Sequence, residues 1–387
     1  MTKRRAVVKN SSKHILFLLA SGQANTRTEL AHLTGSPLST ISDTVQSLIR
    51  QGLVSDEGSV CFSGGRPRQV LAISHSDEFA LVADIGRHHV RAGIARYGGS
   101  TELVRTSQFD TFKGPEPGLQ ALDSIFESVL SQASGSFRSI GIALPSPVNL
   151  DTGSPNQPAT MPGWDGYPVR RHFEEHFGVP VTVDNDANLL AVGESSFRRL
   201  SHSNLIAVKV GTGIGAGVIV GGNLYHGAWN EAGDITHVRV VDSNPLRCSC
   251  GQMGCLETVA SGYALVRTLS EAGIAVSQTM DVVDLARREV PEVVSALRRA
   301  GAYLGQVLAV SVNFFNPEAV YIGGIFSTLK PFISAVQQEI RQRCHPLVMK
   351  GLAIERTQSG IDAEFIGAGV FALQQALRND MQTFMRQ

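Results

Sequence analysis

At 387 residues, with 43% hydrophobic and 18% charged residues, the chain has the composition of a folded protein of two or three domains, which excludes a disordered chain and a single small core. Formal net charge is zero but split: residues 1–72 hold nine Lys/Arg against four Asp/Glu, an excess of +5 that leaves −5 for the remainder. A basic head on an acidic body points to nucleic acid at one end. No apolar run approaches the ~18–20 residues of a membrane span. The opening MTKRRAVVKNSSKHILFLLASG is not read as a signal peptide, because its apolar part is short and is interrupted by His14. A cytoplasmic protein without membrane insertion is expected, its five cysteines reduced or metal-bound.

Ile15, Leu18 and Leu19 have the i, i+3, i+4 spacing of an amphipathic helix. Thr26 and Glu29 then fit a capping box, with Leu30 and Leu33 as the apolar face of a second helix. Thr34-Gly35 makes a short turn, and Ile41, Val45, Leu48 and Ile49 form the stripe of a third. Two short helices around a tight Gly turn predict a helix-turn-helix. The start of the second of these exposes Ser36, Ser39, Thr40 and Ser42, where base edges and phosphates would be met. GLVSDEGSVCFSGGRPRQVLAI reads as a two-stranded wing, and Arg66 and Arg68 at its tip suit a minor groove. The same architecture can serve as a protein-interaction module; the +5 excess and the arginine tip favour DNA.

In the body, LVADIGRHHVRAGIA (81–95) and LIAVKVGTGIGAGVIV (205–220) are alike: strand, Gly-containing turn, strand. A duplicated unit predicts two related α/β lobes with a cleft between them. The last periodic segment has Ile366, Val370, Leu373 and Leu377 on one helical face and is expected to pack back on one lobe.

The order of winged helix, DIG (84–86), VDNDAN (183–188), GTGIGAG (211–217), EAGDITH (231–237) and CSCGQMGCLE (248–257) resembles the ROK family of repressors, unassigned reading frames and kinases, from about residue 10 to about residue 375. The resemblance implies an α/β fold: an N-terminal winged helix-turn-helix (1–75) and an actin-like, two-lobed sugar-kinase body. Its first lobe would comprise 76–190 plus the C-terminal helix 372–387, and its second 191–371. The winged head, absent from the family's kinases, places the chain on the repressor side.

The family's kinases carry Asp-Ile-Gly-Gly-Thr-Lys as a first phosphate loop. Here Asp84-Ile85-Gly86 is followed by Arg87-His88-His89, so the second Gly, the Thr and the Lys are absent. Backbone amides approach a phosphate closely only where no side chain intervenes. GTGIGAG does match the second phosphate loop, although glycines also permit a tight turn with no ligand. One loop kept and one lost argues against efficient phosphoryl transfer. By resemblance Asn185 and Asp186 contact sugar hydroxyls, Asp186 as a vestigial base; on its own the NDAN stretch also fits a helix cap. The family's Ala-Gly-Glu-x-Gly-His has become Ala232-Gly233-Asp234-Ile235-Thr236-His237, so Asp234 is a shorter sugar contact and Thr236 adds bulk. That change bears on which sugar binds.

Cys248, Cys250 and Cys255 offer three zinc ligands. The resemblance implies His237, eleven residues upstream, as the fourth, its other ring nitrogen facing the ligand, with Glu257 as a further sugar contact. A closed Cys₃His site leaves no position for activated water, so the zinc is expected to be structural. The sequence thus predicts a sugar- or sugar-phosphate-responsive regulator of operator DNA, a homodimer or homotetramer with no catalytic residue. The alternative is an active sugar kinase with an appended DNA-binding domain. A zinc finger fails on position, because the cysteines lie about 180 residues beyond the basic head.

Overall fold

The computed structural model describes residues 12–20, 23–60, 68–74, 77–158, 161–198, 202–241 and 243–384. The head contains α1 (Ser12–Ala20), α2 (Arg27–Thr34) and α3 (Leu38–Arg50), then the antiparallel hairpin of β1 (Val54–Val60) and β2 (Arg68–Ile73). Thr26 caps α2 by accepting from the Glu29 amide at 3.2 Å, and Glu29 Oε2 accepts in turn from the Asn25 amide at 2.9 Å. Gly35 closes α2 at φ +66°, a left-handed position that costs glycine little. Ile41, Val45 and Leu48 of α3 are fully buried against Ile15, Leu18 and Leu30.

The first lobe is a five-stranded sheet of order β5-β4-β3-β6-β9, from β3 (Glu78–Ile85), β4 (His89–Arg96), β5 (Thr101–Gln108), β6 (Ser136–Leu144) and β9 (Val181–Asn185). A small hairpin of β7 (Val148–Asn149) and β8 (Ser154–Pro155) follows β6. Helices α4 (Pro115–Leu130) and α5 (Val169–Phe177) contribute Phe126 and Phe173 to this lobe's core. The second lobe repeats the order as β12-β11-β10-β13-β14, from β10 (Leu205–Val210), β11 (Ile214–Val220), β12 (Asn223–Leu224), β13 (Ala319–Gly323) and β14 (Ala353–Arg356). In both sheets the first strand pairs antiparallel with its hairpin partner and parallel with the strand that returns after a crossover. The duplication read from residues 81–95 and 205–220 is therefore a duplicated sheet.

Helix α6 (Asp186–Phe197) joins the lobes, and the C-terminal helix, labelled α13 (Ala363–Phe384) after six intervening helices, crosses it. Those six are α7 (Glu257–Ala260), α8 (Gly262–Glu271), α9 (Thr279–Arg287), α10 (Pro291–Phe315), α11 (Lys330–Arg343) and α12 (Pro346–Met349). At the crossing, a Cβ on Gly193 would stand 1.9 Å from the Ala363 carbonyl oxygen, and one on Gly367 1.8 Å from that of Leu189. Only glycine lets the two backbones approach so closely.

The expectation that the last helix packs on one lobe is corrected. Ile366 and Val370 of α13 join a core with β10 and β13 of the second lobe. Leu373 joins Ala80, Val82 and Ala143 of the first lobe, and Leu377 enters the core of the head beside Ile15 and Leu18. The helix runs between the lobes: Phe365, Ala368 and Ala372 join the first lobe's core on the same turns on which Ile366 and Val370 join the second's, and Leu377 reaches the head beyond them. Residues 190 and 371, after which the lobe boundaries are expected, lie within α6 and α13.

Candidate functional site

The end of β9 and the start of α6 carry the VDNDAN motif. Asn185 is the N-cap: its Oδ1 accepts from the Ala187 and Asn188 amides at 2.9 and 3.4 Å, and its Nδ2 donates to the Ser146 carbonyl at 3.0 Å. The cap and the sugar-contact readings of this motif are thus not exclusive, since the cap uses one atom and orients the rest. Asp184 is buried and accepts from the Asn185 amide and from Asn188 Nδ2, while His226 Nε2 lies 2.7 Å from its other oxygen.

Asp186 sits at the lobe junction. Its Oδ2 is 2.8 Å from Lys209 Nζ on β10, and Lys209 Nζ is also 3.0 Å from Glu364 Oε1 on α13. Burial alone would lower the Lys209 pKa, but Asp186, Glu364 and Asp84 outweigh it and hold the ammonium well above an ordinary lysine. Burial pushes Asp84 and Glu364 up, with Lys209 opposing in each case. Sequence reading missed Lys209, which looks like one polar residue in an apolar strand; a charge inside LIAVKV was the available signal.

The two glycine loops differ in what stands over them. In the first, Gly86 donates its amide to the His89 carbonyl at 2.8 Å, and a Cβ on Gly86 would lie 2.7 Å from the His89 imidazole. Burial, then Lys209 and Arg91, hold that imidazole below its usual pKa. Arg87 turns its guanidinium onto the Phe112 ring, 4.5 Å from the centroid. In the second, Gly211 has open space where a Cβ would stand, whereas Gly215 and Gly217 are pressed against Ala187 and Asn188 of α6. Half of the second loop's glycines are therefore explained by packing.

The AGDITH turn lies on β11. Gly233, at φ +95°, would place a Cβ 2.1 Å from the Ala216 carbonyl oxygen, which fixes glycine there. Thr236 donates its hydroxyl to the Ile214 carbonyl at 2.8 Å, and Asp234 Oδ1 accepts from the Thr236 amide at 3.2 Å. The threonine that replaces the family's glycine is thus bonded into the loop. Glu257 opens the short helix α7, its amide donating to the Thr236 carbonyl at 3.1 Å. Its Oε2 is buried with no hydrogen-bond partner. Burial, aided by nearby Asp234, pushes this carboxyl up to about 7 against the opposing Ile214 amide. A buried carboxylate oxygen without a donor can accept from a hydroxyl brought beside it.

Sequence reading also missed Glu231 and Asn156. Burial and Asp234 raise the Glu231 pKa, while a hydrogen bond from the Asn156 side chain and the nearby His237 oppose the shift. Asn156 follows β8 of the first lobe and Glu231 follows β12 of the second, so this pair links the two lobes.

His237, Cys248, Cys250 and Cys255 come together with their ligand atoms all within 4.8 Å of one another, a cluster able to hold a metal ion. Cys248 Sγ is 3.4 Å from His237 Nδ1, and Cys250 Sγ is 3.7 Å from Cys255 Sγ. Tetrahedral zinc with bonds of about 2.3 Å to sulfur and 2.0 Å to nitrogen sets edges of about 3.8 and 3.5 Å, so the donor set fits that ion. Bridges Arg239–Cys255 and Arg247–Met253 hold the loop, and Gly254, at φ +77°, allows close approach to the Val241 carbonyl. Because Nδ1 faces the sulfurs, Nε2 is the His237 nitrogen left for another partner.

On the head, Ser39 is exposed at the start of α3, with Ser36, Thr40 and Ser42 half-buried beside it. Arg66 lies outside the described residues, as does the side chain of Arg68, whose backbone opens β2. Among the described residues, no helix is long and apolar enough to cross a membrane.

A three-helix head with a hairpin, followed by two α/β lobes of the same sheet order, defines an actin-like, sugar-kinase-type body with a helical N-terminal module. The ROK family model matches residues 81–375, and the chain belongs to that family. It is 28% identical to the xylose repressor of Bacillus spizizenii over 96% of this chain and 97% of the relative. In fold it matches a ROK family transcriptional regulator, a homologue of the Escherichia coli MLC protein, at TM-score 0.74 and 24% identity, covering 96% of this chain and 97% of that one. A ROK glucokinase from Streptomyces griseus, in complex with glucose and AMPPNP, matches at TM-score 0.66 and 25% identity over 76% of this chain and 99% of that one.

Proposed function

We propose that the chain is a transcriptional repressor that binds operator DNA through its head and releases it in response to a sugar or sugar phosphate in the cleft. The observation that carries this reading is α13: Glu364 at its start is paired with Lys209 beside Asp186, and Leu377 near its end lies in the core of the head. A ligand that moves the lobes bears directly on that helix. DNA contact is assigned to residues 1–75, through Ser36, Ser39, Thr40, Ser42, Arg66 and Arg68. The lobes are taken as 76–190 with 372–387, and 191–371. Sugar hydroxyls would meet Asn185, Asp186, Asp234, His237 Nε2 and Glu257. A structural zinc on His237, Cys248, Cys250 and Cys255 would hold His237 and Glu257 in register. Dimers or tetramers of the chain would present two heads to paired half-sites. Mobility-shift titration with pentoses, hexoses and their phosphates tests the response, with xylose first because the Bacillus spizizenii relative bears that name.

A kinase reading is favoured by one observation, the open side of Gly211. Three others oppose it: His89 covers Gly86, Arg87 stacks on Phe112, and one Asp186 oxygen is already paired with Lys209. Phosphoryl transfer depends on positioning around the nucleotide, and we infer that efficient turnover is lost. A coupled ATP assay over the same sugars decides between the two: robust turnover would overturn the repressor-only reading.

A further inference from the structure

Between β12 and the AGDITH motif, residues 226–232 form a loop closed on itself. The Ala232 amide donates to the His226 carbonyl at 3.0 Å, and Gly227 and Asn230, at φ +76° and +67°, turn the chain inside it. Both feet of the loop are fixed beside the sugar contacts. His226 Nε2 lies 2.7 Å from Asp184 Oδ2 in VDNDAN, and Glu231 is bonded to the Asn156 side chain and interacts with Asp234 and His237. Trp229, at the middle of the loop, is 85% exposed, whereas the chain's other tryptophan, Trp164, is fully buried. Two residues of chain span at most about 7 Å. The Trp229 backbone therefore stands within that distance of Glu231, at the rim of the contacts assigned to Asp234, His237 and Glu257.

A single apolar side chain at a surface needs no ligand to explain it. Trp229 differs in its mounting and its neighbours. The hydrogen bond that closes the loop holds its backbone in place, so little freedom is lost when the indole is covered. The groups assigned to the sugar, Asn185, Asp186, Asp234, His237 and Glu257, all present oxygen or nitrogen, which meets the hydroxyls at the edge of a sugar ring. The face of such a ring carries C–H bonds of positive partial charge, and their complement is the negative face of an aromatic ring. Trp229 supplies that face, but farther out. Glu257 Oε2 is buried and the indole is open to solvent, so a ring bonded to the first lies deeper than a ring stacked on the second.

We propose that Trp229 forms a second sugar subsite, and that the ligand of this protein is a disaccharide or longer glycoside. Its first ring is bonded by the interior contacts and its next ring stacks on the indole. This names the ligand class of the same site and rests on the sugar reading given above. The stacked ring touches a loop whose feet are tied to Asp184 in VDNDAN and to Asn156 in the first lobe. A second ring thus adds contacts to the segment that links the lobes, which a monosaccharide does not reach.

Acrylamide quenching of the full chain's intrinsic fluorescence tests the subsite, because Trp164 is buried and Trp229 supplies the quenchable signal. The probes are xylose with xylobiose, and glucose with cellobiose and maltose, all without DNA. At least one disaccharide is expected to bind about tenfold or more tightly than its own monosaccharide and to protect Trp229 from acrylamide, which the monosaccharide does not. Trp229→Ala removes a side chain that belongs to no core, and isothermal titration should show the tenfold advantage lost in that variant. If monosaccharides bind and no disaccharide gains on them, or if Trp229→Ala keeps the advantage, the subsite is overturned and the sugar reading stands. Protection of Trp229 in the sugar-free chain would give the indole to a contact between copies and would also overturn it. If none of these sugars binds, the subsite falls together with the sugar reading.

Discussion

Lys209 Nζ stands 2.8 Å from Asp186 Oδ2, so the strand that opens the second lobe holds the carboxylate at the start of the helix joining the lobes. Glu364 on α13 and the buried Asp84 on β3 complete the cluster. Removing one partner of a buried ion pair costs about 3–5 kcal/mol because the other charge is left uncompensated. Lys209→Met is expected to lose about that much near neutral pH. Without the ammonium, burial at Asp84 and Glu364, whose pKa values it already raises, loses its largest opponent, leaving Arg91 at Asp84 and a backbone hydrogen bond at Glu364. An acid with a raised folded pKa binds more protons in the native state, so the variant gains stability as pH falls. Its deficit against the unmodified chain should therefore shrink as pH falls from neutral toward the ordinary carboxylate range, about pH 4. In the unmodified chain the raised Lys209 pKa contributes stability below about pH 10.4 that is lost as pH rises through the folded value. Denaturant melts across this range check both, and a deficit constant with pH would contradict the cluster.

The crossing of α6 and α13 makes a prediction opposite to helix propensity. Glycine to alanine inside a helix ordinarily stabilises by up to ~1 kcal/mol. Here Gly367→Ala would drive a Cβ to 1.8 Å from the Leu189 carbonyl oxygen. Overpacking of this kind costs ~1–3 kcal/mol or more. Thermal melts should show destabilisation at Gly367 and at Gly193. Stabilisation at either would mean that the two helix backbones are not in direct contact at the crossing.

Much of this was legible in the sequence, and what was not has a common cause. The α3 stripe Ile41, Val45, Leu48 follows from local spacing, and CSCGQMGCLE is a local cluster. Lys209 was not legible as a hub because its partners Asp84, Asp186 and Glu364 come from three other elements. Asn156 and Glu231 meet only when the lobes face each other. The stripe on α13 was visible, but periodicity counts apolar positions without saying which bodies they meet. Thr236 read as added bulk because nothing in the sequence shows its hydroxyl reaching Ile214.

The metal cluster is tested by Cys250→Ser. The unmodified chain, purified without chelator, is expected to carry about one zinc per chain by elemental analysis, and the variant to carry almost none. The head, whose core shares no residue with the cluster, should still fold and bind DNA. Response to the sugar should fail, because His237 and Glu257 lose their register. Failure of DNA binding with ligand binding intact would place the cluster's role elsewhere.

The central claim is that ligand in the cleft sets the affinity of the head for DNA. The direct measurement is fluorescence anisotropy of an operator, selected from random DNA on the full chain, titrated in the presence of each sugar. At least one sugar or sugar phosphate is expected to weaken binding about tenfold or more, a coupling of roughly 1.4 kcal/mol, with the response reduced in Glu257→Gln. Unchanged DNA affinity with every sugar tested, or an undiminished response in that variant, would contradict the account.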